Sequence, residues 1–244
     1  MHYLGLIGLL SLTAGSLAAP PAAAAAMTAD AGEVFRVADA TAPAAAEAQI
    51  ARGLTEALRL ATDTVVARLG QPGGFAADPA IRIPLPGGLE SVRDGLLSAG
   101  LGPLVEDLER RMNRAAERAV PEARSVFRDA LAAMTIEDAR TVLNGPDDSA
   151  TRYFAERMGP ELAERMTPIV DAELRDVGAV RAFEAFAAEY AALPLMPDIR
   201  GSLTGHVVDG TLAGFFHHMA AEERRIRNDP AARTTALLRS VFGS

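Results

Sequence analysis

The chain has 244 residues, 49% of them hydrophobic, which is enough to bury one substantial core. All 24 basic residues are arginines, and with 32 acidic residues they give a formal net charge of −8, which argues against nucleic acid as a partner because phosphate binding needs a basic surface. The absence of cysteine excludes thiol catalysis, disulfides, thiolate metal sites and lipid attachment at an N-terminal cysteine.

The N-terminus resembles a secretory signal peptide, although no Lys or Arg precedes its apolar run. Residues 4–17 form a short apolar run, and small residues follow it. A membrane anchor is the alternative, because the first charged residue is Asp30. Pro20 and Pro21 interrupt the run, however, and a spanning helix needs roughly 20 strongly apolar residues. We therefore assign residues 1–26 to a signal peptide, with no stable membrane span after processing.

The rest of the chain divides into a short leader and one domain. Residues 27–46 are rich in Ala and lack periodicity, which predicts a flexible leader. Residues 47–244 are predicted to form a single helical domain. Its first helix is indicated by apolar residues at helical spacing from Ile50 to Leu69, and the glycines and proline that begin at Gly70 end it.

The segment from Phe75 to Gly88 differs from the rest. Isoleucines and a leucine alternate there with Arg82, Pro84 and Pro86. Prolines at alternate positions prevent both a helix and pairing within a sheet. This pattern predicts an extended Pro-rich strap across the helices.

Beyond the strap, helical periodicity resumes at Leu89, breaks at residues 100–102 and at a loop over residues 193–201, and otherwise continues to the end of the last predicted helix. Ala, Leu and Arg are abundant and aromatic residues make up only 5%, which also favours helix. Thr135 with Asp138 is typical of a helix cap, and Asp229 with Pro230 is typical of a cap and first turn. The expected fold is an all-α multi-helix bundle of about eight to ten helices with one strap. The later helices are predicted over residues 103–120, 121–134, 135–144, 148–158, 160–166, 168–177, 179–193, 203–227 and 231–242.

Four segments in the same order resemble an exported bacterial family, the domain of unknown function DUF4197. They are IRIPLP at residues 81–86, MNRAAERAVPEA at 112–123, LNGPDDSATRYF at 143–154 and DPAARTTALLRSVF at 229–242. The resemblance implies a helical protein that is periplasmic or secreted. It implies no reaction, and no catalytic residues are carried over from it.

A histidine pair raises the question of a metal site. His218 and Glu222 would share one face of a predicted helix, at a spacing that metal ligands use. The helical zinc-protease pattern needs a second His with an intervening Glu, and the di-iron pattern needs Glu three residues before His; neither is present. We interpret this segment as a solvated, charged helix end and predict no metal and no cofactor. Its other charged residues are Glu223, Arg224, Arg225 and Arg227.

An acidic loop is a second candidate site. Asn144, Asp147 and Asp148 surround a Gly-Pro pair and could attract a cation, but the alternating ligands of a calcium loop are absent. A helix stop followed by a helix cap explains these residue types without a ligand.

The helix predicted over residues 103–120 carries a polar face. Asn113, Arg114 and Glu117 lie opposite its apolar stripe at about 100° per residue. We hypothesise that this face forms a polar cluster with the acidic loop or with the start of the last helix; the alternative is an exposed face with weak ion pairs. The proposed partners are Asn144, Asp147, Asp148, Arg233 and Thr234.

These observations favour a non-catalytic periplasmic module that binds an envelope protein or a small ligand. The alternative is an envelope hydrolase with a carboxylate or histidine site. A hydrolase should have a pocket in which such a group has a shifted pKa and a second group within hydrogen-bond reach. A binding module should have an exposed patch without such a pair.

The first testable prediction concerns export. The leader is expected to be removed between Ala18 and Met27, because small residues follow the short apolar run there. Sequencing the N-terminus of the protein recovered from the periplasm or medium tests this. A membrane-bound product that retains Met1 would contradict it.

Overall fold

The computed structural model describes residues 32–90, 93–135, 137–138, 142, 145–191 and 203–242. The chain divides into two compact units, Met1–Ala40 and Thr41–Ser244. In the first unit, the described residues 32–40 are helical. The predicted signal peptide lies outside the described residues. Apart from residues 32–40 at the start of the first helix, the features that follow belong to the second unit.

Within the described ranges the chain forms helices and no β-strand, which confirms the predicted all-α fold. None of these helices has both the length and the apolar content needed to cross a membrane. In chain order they are α1 (Gly32–Leu69), α2 (Gly87–Glu90), α3 (Arg93–Ser98), α4 (Gly102–Glu122), α5 (Arg124–Ala132), α6 (Ser149–Asp176), α7 (Ala179–Ala191), α8 (Leu203–Asn228), a 3₁₀ turn (Pro230–Ala232) and α9 (Ala236–Phe242).

The first predicted helix is present, and α1 extends it toward the N-terminus from Ile50 to Gly32. Its periodic residues Leu54, Leu58 and Val65 are buried in the core, as the spacing predicts. After α1, residues 70–86 contain turns and extended backbone but no helix or strand. We call these residues the α1–α2 connection. It contains most of the predicted strap, whose last two residues begin α2.

Helix α4 is the centre of the bundle, because it packs against α6, α7 and α8. It is buried on most of its circumference. The exposed residues along most of its length form one narrow stripe with a spacing of four, which is one side of a helix. This stripe consists of Glu106, Arg110, Arg114 and Arg118.

Helix α6 is continuous, so the prediction of three shorter helices over residues 148–177 was wrong. Pro160 and Pro168 lie inside it. Each proline removes one backbone hydrogen bond, but both are exposed and lie about two turns apart on the same side, so water can solvate the freed carbonyl groups. The opposite side continues without interruption as a buried stripe of Leu162, Met166, Val170 and Leu174.

Other predicted boundaries shift slightly. Pro121 lies in the last turn of α4 rather than at the start of the next helix. Asp229 is a cap, since its side chain accepts a hydrogen bond from the N–H of Ala231, but Pro230 begins a 3₁₀ turn and α9 starts only at Ala236. The cap predicted at Thr135 is confirmed by reciprocal hydrogen bonds between Thr135 and Asp138.

Helix α8 lies against the connection through two glycines. A Cβ atom at Gly210 would lie 2.9 Å from Cγ1 of Ile83, and one at Gly214 would lie 2.7 Å from Cε1 of Phe75. Neither distance leaves room for a methyl group. The next residue, Phe215, is fully buried and stacks on Phe127 with the ring centroids 3.8 Å apart.

The second prediction tests this close contact. Gly214→Ala is expected to destabilise the protein by about 1–3 kcal/mol, because the added methyl group overpacks the contact with Phe75. The matched control is Gly159→Ala in α6, where nothing lies within 4 Å of the new Cβ atom. This control should be neutral or stabilising by up to about 1 kcal/mol, because alanine favours helix. Chemical denaturation of both variants measures the difference, and equal midpoints would contradict the prediction.

Candidate functional site

Helix α4 carries three buried polar residues on the side that faces the α1–α2 connection. Glu109, Asn113 and Glu117 are 3%, 1% and 2% exposed, and their spacing of four residues aligns them along one side of the helix. Such burial is favourable only if each polar atom has a partner. All three side chains have these partners in the connection or close to it.

Asn113 binds the extended part of the connection. Its Oδ1 accepts a hydrogen bond from the N–H of Ile83 at 2.9 Å, and its Nδ2 donates to the carbonyl of Ile83 at 2.8 Å. Nδ2 also donates to the carbonyl of Glu109 at 2.8 Å. One side chain thus gives Ile83 both hydrogen bonds that a neighbouring strand would otherwise supply.

Glu117 binds the turn at the start of the connection. Its Oε1 accepts hydrogen bonds from the backbone N–H groups of Gly73, Phe75 and Ala76, at 3.0, 3.3 and 3.4 Å. Successive N–H groups directed at one point form a concave site for an anion. Here the anion is a side chain of the same protein.

Glu109 joins two arginines at the other end of this polar stripe. Both of its carboxylate oxygens are hydrogen-bonded, one by Arg82 of the connection and the other by Arg93 of α3. Burial opposes ionisation of Glu109, but the hydrogen bonds from Arg93 and Arg82 outweigh it and hold the pKa of this carboxyl group below its ordinary value. Glu109 is therefore ionised at neutral pH and serves as the acceptor for both arginines.

Two histidines of α8 hold the connection from its other side. His206 Nε2 lies 2.9 Å from the carbonyl oxygen of Pro84, and His218 Nε2 lies 3.1 Å from Oδ2 of Asp78. His218 is only 6% exposed. Burial, together with the positive charge of Arg68, lowers the pKa of His218 despite the opposite effect of Asp78.

An open groove of about 510 Å³ runs between the connection and α8. We call it the α8 groove. Its walls combine small and apolar residues with polar side chains that remain accessible to solvent. It is lined by Ala80, Ile81, Arg82, Ile83, Pro84, His206, Asp209, Gly210, Ala213, Gly214 and His217. Among the described residues, no group of three or more His, Asp or Glu side chains is arranged to hold a metal ion.

A second buried polar cluster lies at the end of α8. Glu223 is 4% exposed and accepts hydrogen bonds from the backbone N–H groups of Ala150 and Thr151, at 3.0 and 2.8 Å, and from the Thr151 hydroxyl at 2.7 Å. Its carboxylate thus caps the N-terminus of α6 from another helix. The side chain of Arg227, 9% exposed, pairs with Glu223 at 2.9 Å.

The prediction of a solvated helix end is therefore wrong for His218, Glu223 and Arg227, whose side chains are buried or nearly so. The remaining charges of that segment fit it better, since Arg224 and Arg225 are exposed. His218 and Glu222 do not share a partner, because His218 contacts Asp78 and Glu222 contacts Arg225. The helical spacing predicts that the two side chains share a face of the helix, but it does not predict that they bind different partners.

The predicted polar cluster is divided between two places. Asn113 and Glu117 are buried, but they bind the connection rather than the acidic loop. Arg114 belongs to the exposed stripe, with 47% of its side chain exposed, and lies 3.4 Å from Glu117.

The proposed partners lie at the C-terminal end of α8, and Asn144 is outside the described residues. Asp147 accepts a hydrogen bond from Asn228 at 2.8 Å, and Asp148 pairs with Arg152 and with Arg224. The Arg233 side chain donates to backbone carbonyls at the end of α8, while Thr234 is exposed.

Sequence reasoning missed Glu109, Asp78 and His206. Glu109 could have been found from the sequence, because it continues the spacing of four residues that Asn113 and Glu117 follow on a helix downstream of the Pro-rich strap. For Asp78 and His206 the sequence has no comparable signal, because their partners are 140 and 122 residues away along the chain.

The fold and this arrangement define a helical protein in which a Pro-rich connection is held between two helices by buried polar side chains. The chain belongs to the family described as protein of unknown function (DUF4197), whose model matches residues 44–243. No curated protein and no solved structure matches the chain.

The third prediction separates buried from exposed polar residues on α4. Asn113→Ala is expected to cost about 3 kcal/mol, because two buried backbone groups of Ile83 lose their partner at about 1–3 kcal/mol each. Arg114→Ala, the neighbouring control, should cost less than about 1 kcal/mol, because its ion pair is largely solvated. Denaturant midpoints of the two variants measure this difference. A larger loss for Arg114→Ala would contradict the assignment.

Proposed function

We propose that this protein is a non-catalytic module, exported to the periplasm or the medium, that binds an envelope protein or a small ligand in the α8 groove. The observation that carries this proposal is that the buried ionisable groups at this site form their hydrogen bonds with other groups of the same protein. A catalytic carboxylate or imidazole needs an atom directed at its substrate. The buried groups at this site instead bind the protein's own backbone and side chains.

The hydrogen-bond partners differ from group to group, but all of them belong to the protein itself. Glu109 accepts hydrogen bonds from two arginines, Glu117 from three backbone N–H groups, and Glu223 from the start of α6. His218 is occupied by Asp78. These contacts position helices and the connection, which is a structural role.

The α8 groove is the feature that supports binding. Its volume of about 510 Å³ lies within the range of roughly 300–1,000 Å³ typical of ligand sites. Arg82 and Asp209 provide exposed charges of opposite sign, and Ala213 is an exposed apolar position on its wall. A site of this kind suits a ligand with an apolar body and a few polar groups.

Export is supported by the short apolar run at residues 4–17 and by the small residues that follow it. The proposal of export does not depend on whether the groove binds a ligand.

One observation favours the second candidate, an envelope hydrolase. His218 pairs with Asp78, and a carboxylate in this position orients an imidazole that acts as a general base. If this candidate is correct, the protein should release a soluble product from isolated envelopes. His218→Gln, with its helical circular dichroism intact, should abolish that release.

The fourth prediction tests the groove. Ala213→Arg places a long side chain in the α8 groove, whereas Ala172→Arg places it at an exposed position on α6. A molecule recovered with the tagged wild-type protein from the periplasm and identified by mass spectrometry should be retained by Ala172→Arg. Ala213→Arg should lose at least about 90% of it, a tenfold weakening that corresponds to about 1.4 kcal/mol. Full recovery with Ala213→Arg would contradict the groove as the site.

A further inference from the structure

The contact between the connection and α8 includes a pair of titratable side chains, a buried histidine and a partly exposed aspartate. His218 has 7% of its side chain exposed, and its Nε2 lies 3.1 Å from Oδ2 of Asp78, which has 24% exposed. The pair lies at the interface of two separate segments, and adjacent residues of both segments line the α8 groove. A change in this pair therefore acts on a wall of the groove.

The groups that face His218 come from three elements. Asp78 comes from the connection and Arg68 from α1, and His217 is its neighbour on α8. Arg68 Nη2 lies 3.6 Å from the same Oδ2 atom that faces His218. The Asp78 carboxylate thus already has one cationic neighbour, Arg68, and a protonated His218 would be a second.

Neutral His218 fits this site, because its Nε2–H donates to the carboxylate. A second proton on the ring adds a positive charge that burial disfavours and that Arg68 repels. The His218 side chain is only 7% exposed, and one turn away at Gly214 the interface has no room for a methyl group, so water reaches the protonated ring more readily when the two segments separate. Protonation therefore favours separation of the connection from α8.

We propose that His218 and Asp78 form an acid-sensitive latch that holds the connection against α8 and releases it when His218 is protonated. The direction follows from the surroundings, since burial and Arg68 lower the pKa of His218 from its ordinary value of 6.5. The closed arrangement has its full stability above that value and loses it as the pH falls toward the lowered pKa.

The other contacts of the connection define how it moves. His206 can donate its Nε2–H to the carbonyl of Pro84 in either protonation state. Asn113 and Glu117 hold the connection on the side of α4. The expected motion is a displacement of the segment around Asp78 away from α8, about the anchor on α4, that widens the groove. An effect on ligand binding rests on the function proposed above, whereas the motion itself does not.

The motion is testable because the chain has no cysteine. Ala80→Cys and Ala213→Cys introduce two exposed thiols, one on each wall of the groove, for nitroxide labels. Electron paramagnetic resonance measures the distance between the labels in the full-length protein at about pH 8 and about pH 5, on either side of the ordinary histidine pKa. The population with the longer distance is expected to grow at least about threefold at the lower pH. Circular dichroism should show unchanged helix content.

Three variants of the labelled protein identify the titrating group. His218→Gln keeps an N–H donor but cannot bind the proton, so its distances should be the same at both pH values. Asp78→Asn removes the charge that favours protonated His218 in the closed arrangement. Protonation then destabilises the closed arrangement more, so the transition should move to a higher pH. His217→Gln, the matched control at the exposed neighbour, should retain the transition.

Three results would overturn the latch. They are equal distances at both pH values in the parent protein, a transition that persists in His218→Gln, and a loss of helical signal in parallel with the distance change. The last result would mean global acid unfolding. If His218→Gln does not fold, the shift in Asp78→Asn decides. No ligand is used, so the outcome does not depend on whether the groove binds one.

Discussion

The α1–α2 connection brings backbone N–H and C=O groups into the interior without a helix or a strand to pair them. Each group left without a partner would cost about 1–3 kcal/mol, which is a large fraction of the stability of a domain. Prolines prevent the connection from joining a sheet, so side chains must supply the partners. Asn113 and Glu117 do so from α4, and two glycines of α8 allow the connection to lie close on the other side. The position of the connection and the shape of the α8 groove both depend on this arrangement.

The same physical solution recurs at both ends of α6. At its N-terminus Glu223 accepts hydrogen bonds from N–H groups that the helix itself leaves unpaired. At its C-terminus Arg111 donates to the carbonyl of Val177 at 2.6 Å. At each end of α6, a side chain from another helix thus carries a charge opposite to the partial charge of that helix end. Apolar burial supplies most of the stability, while these polar contacts determine where each element lies.

This use of charge bears on function. In an enzyme, a buried carboxylate or histidine usually has a perturbed pKa because catalysis needs it, but a structural network perturbs a pKa in the same way. Glu109 illustrates the structural case, because its lowered pKa follows from two arginines that attach the connection and α3 to α4. The α8 groove then presents solvent-accessible polar groups of its own, among them Asp209 and His217.

Periodicity and composition were sufficient to predict an all-α chain, the helix that ends at Leu69, the Pro-rich strap and the cap at Thr135, because these depend on neighbours within a few residues. The polar face of α4 was recognised but given the wrong partner. Helix α6 was divided at its prolines, because its exposed side and its buried stripe are distinguished only once the helix is packed. The pairs His218 with Asp78 and Glu223 with Thr151 join residues far apart in the chain. Local sequence determined which segments are helical and which cannot be, whereas only the tertiary structure decided which polar residues are buried and with which partners, because burial is a property of the packed elements.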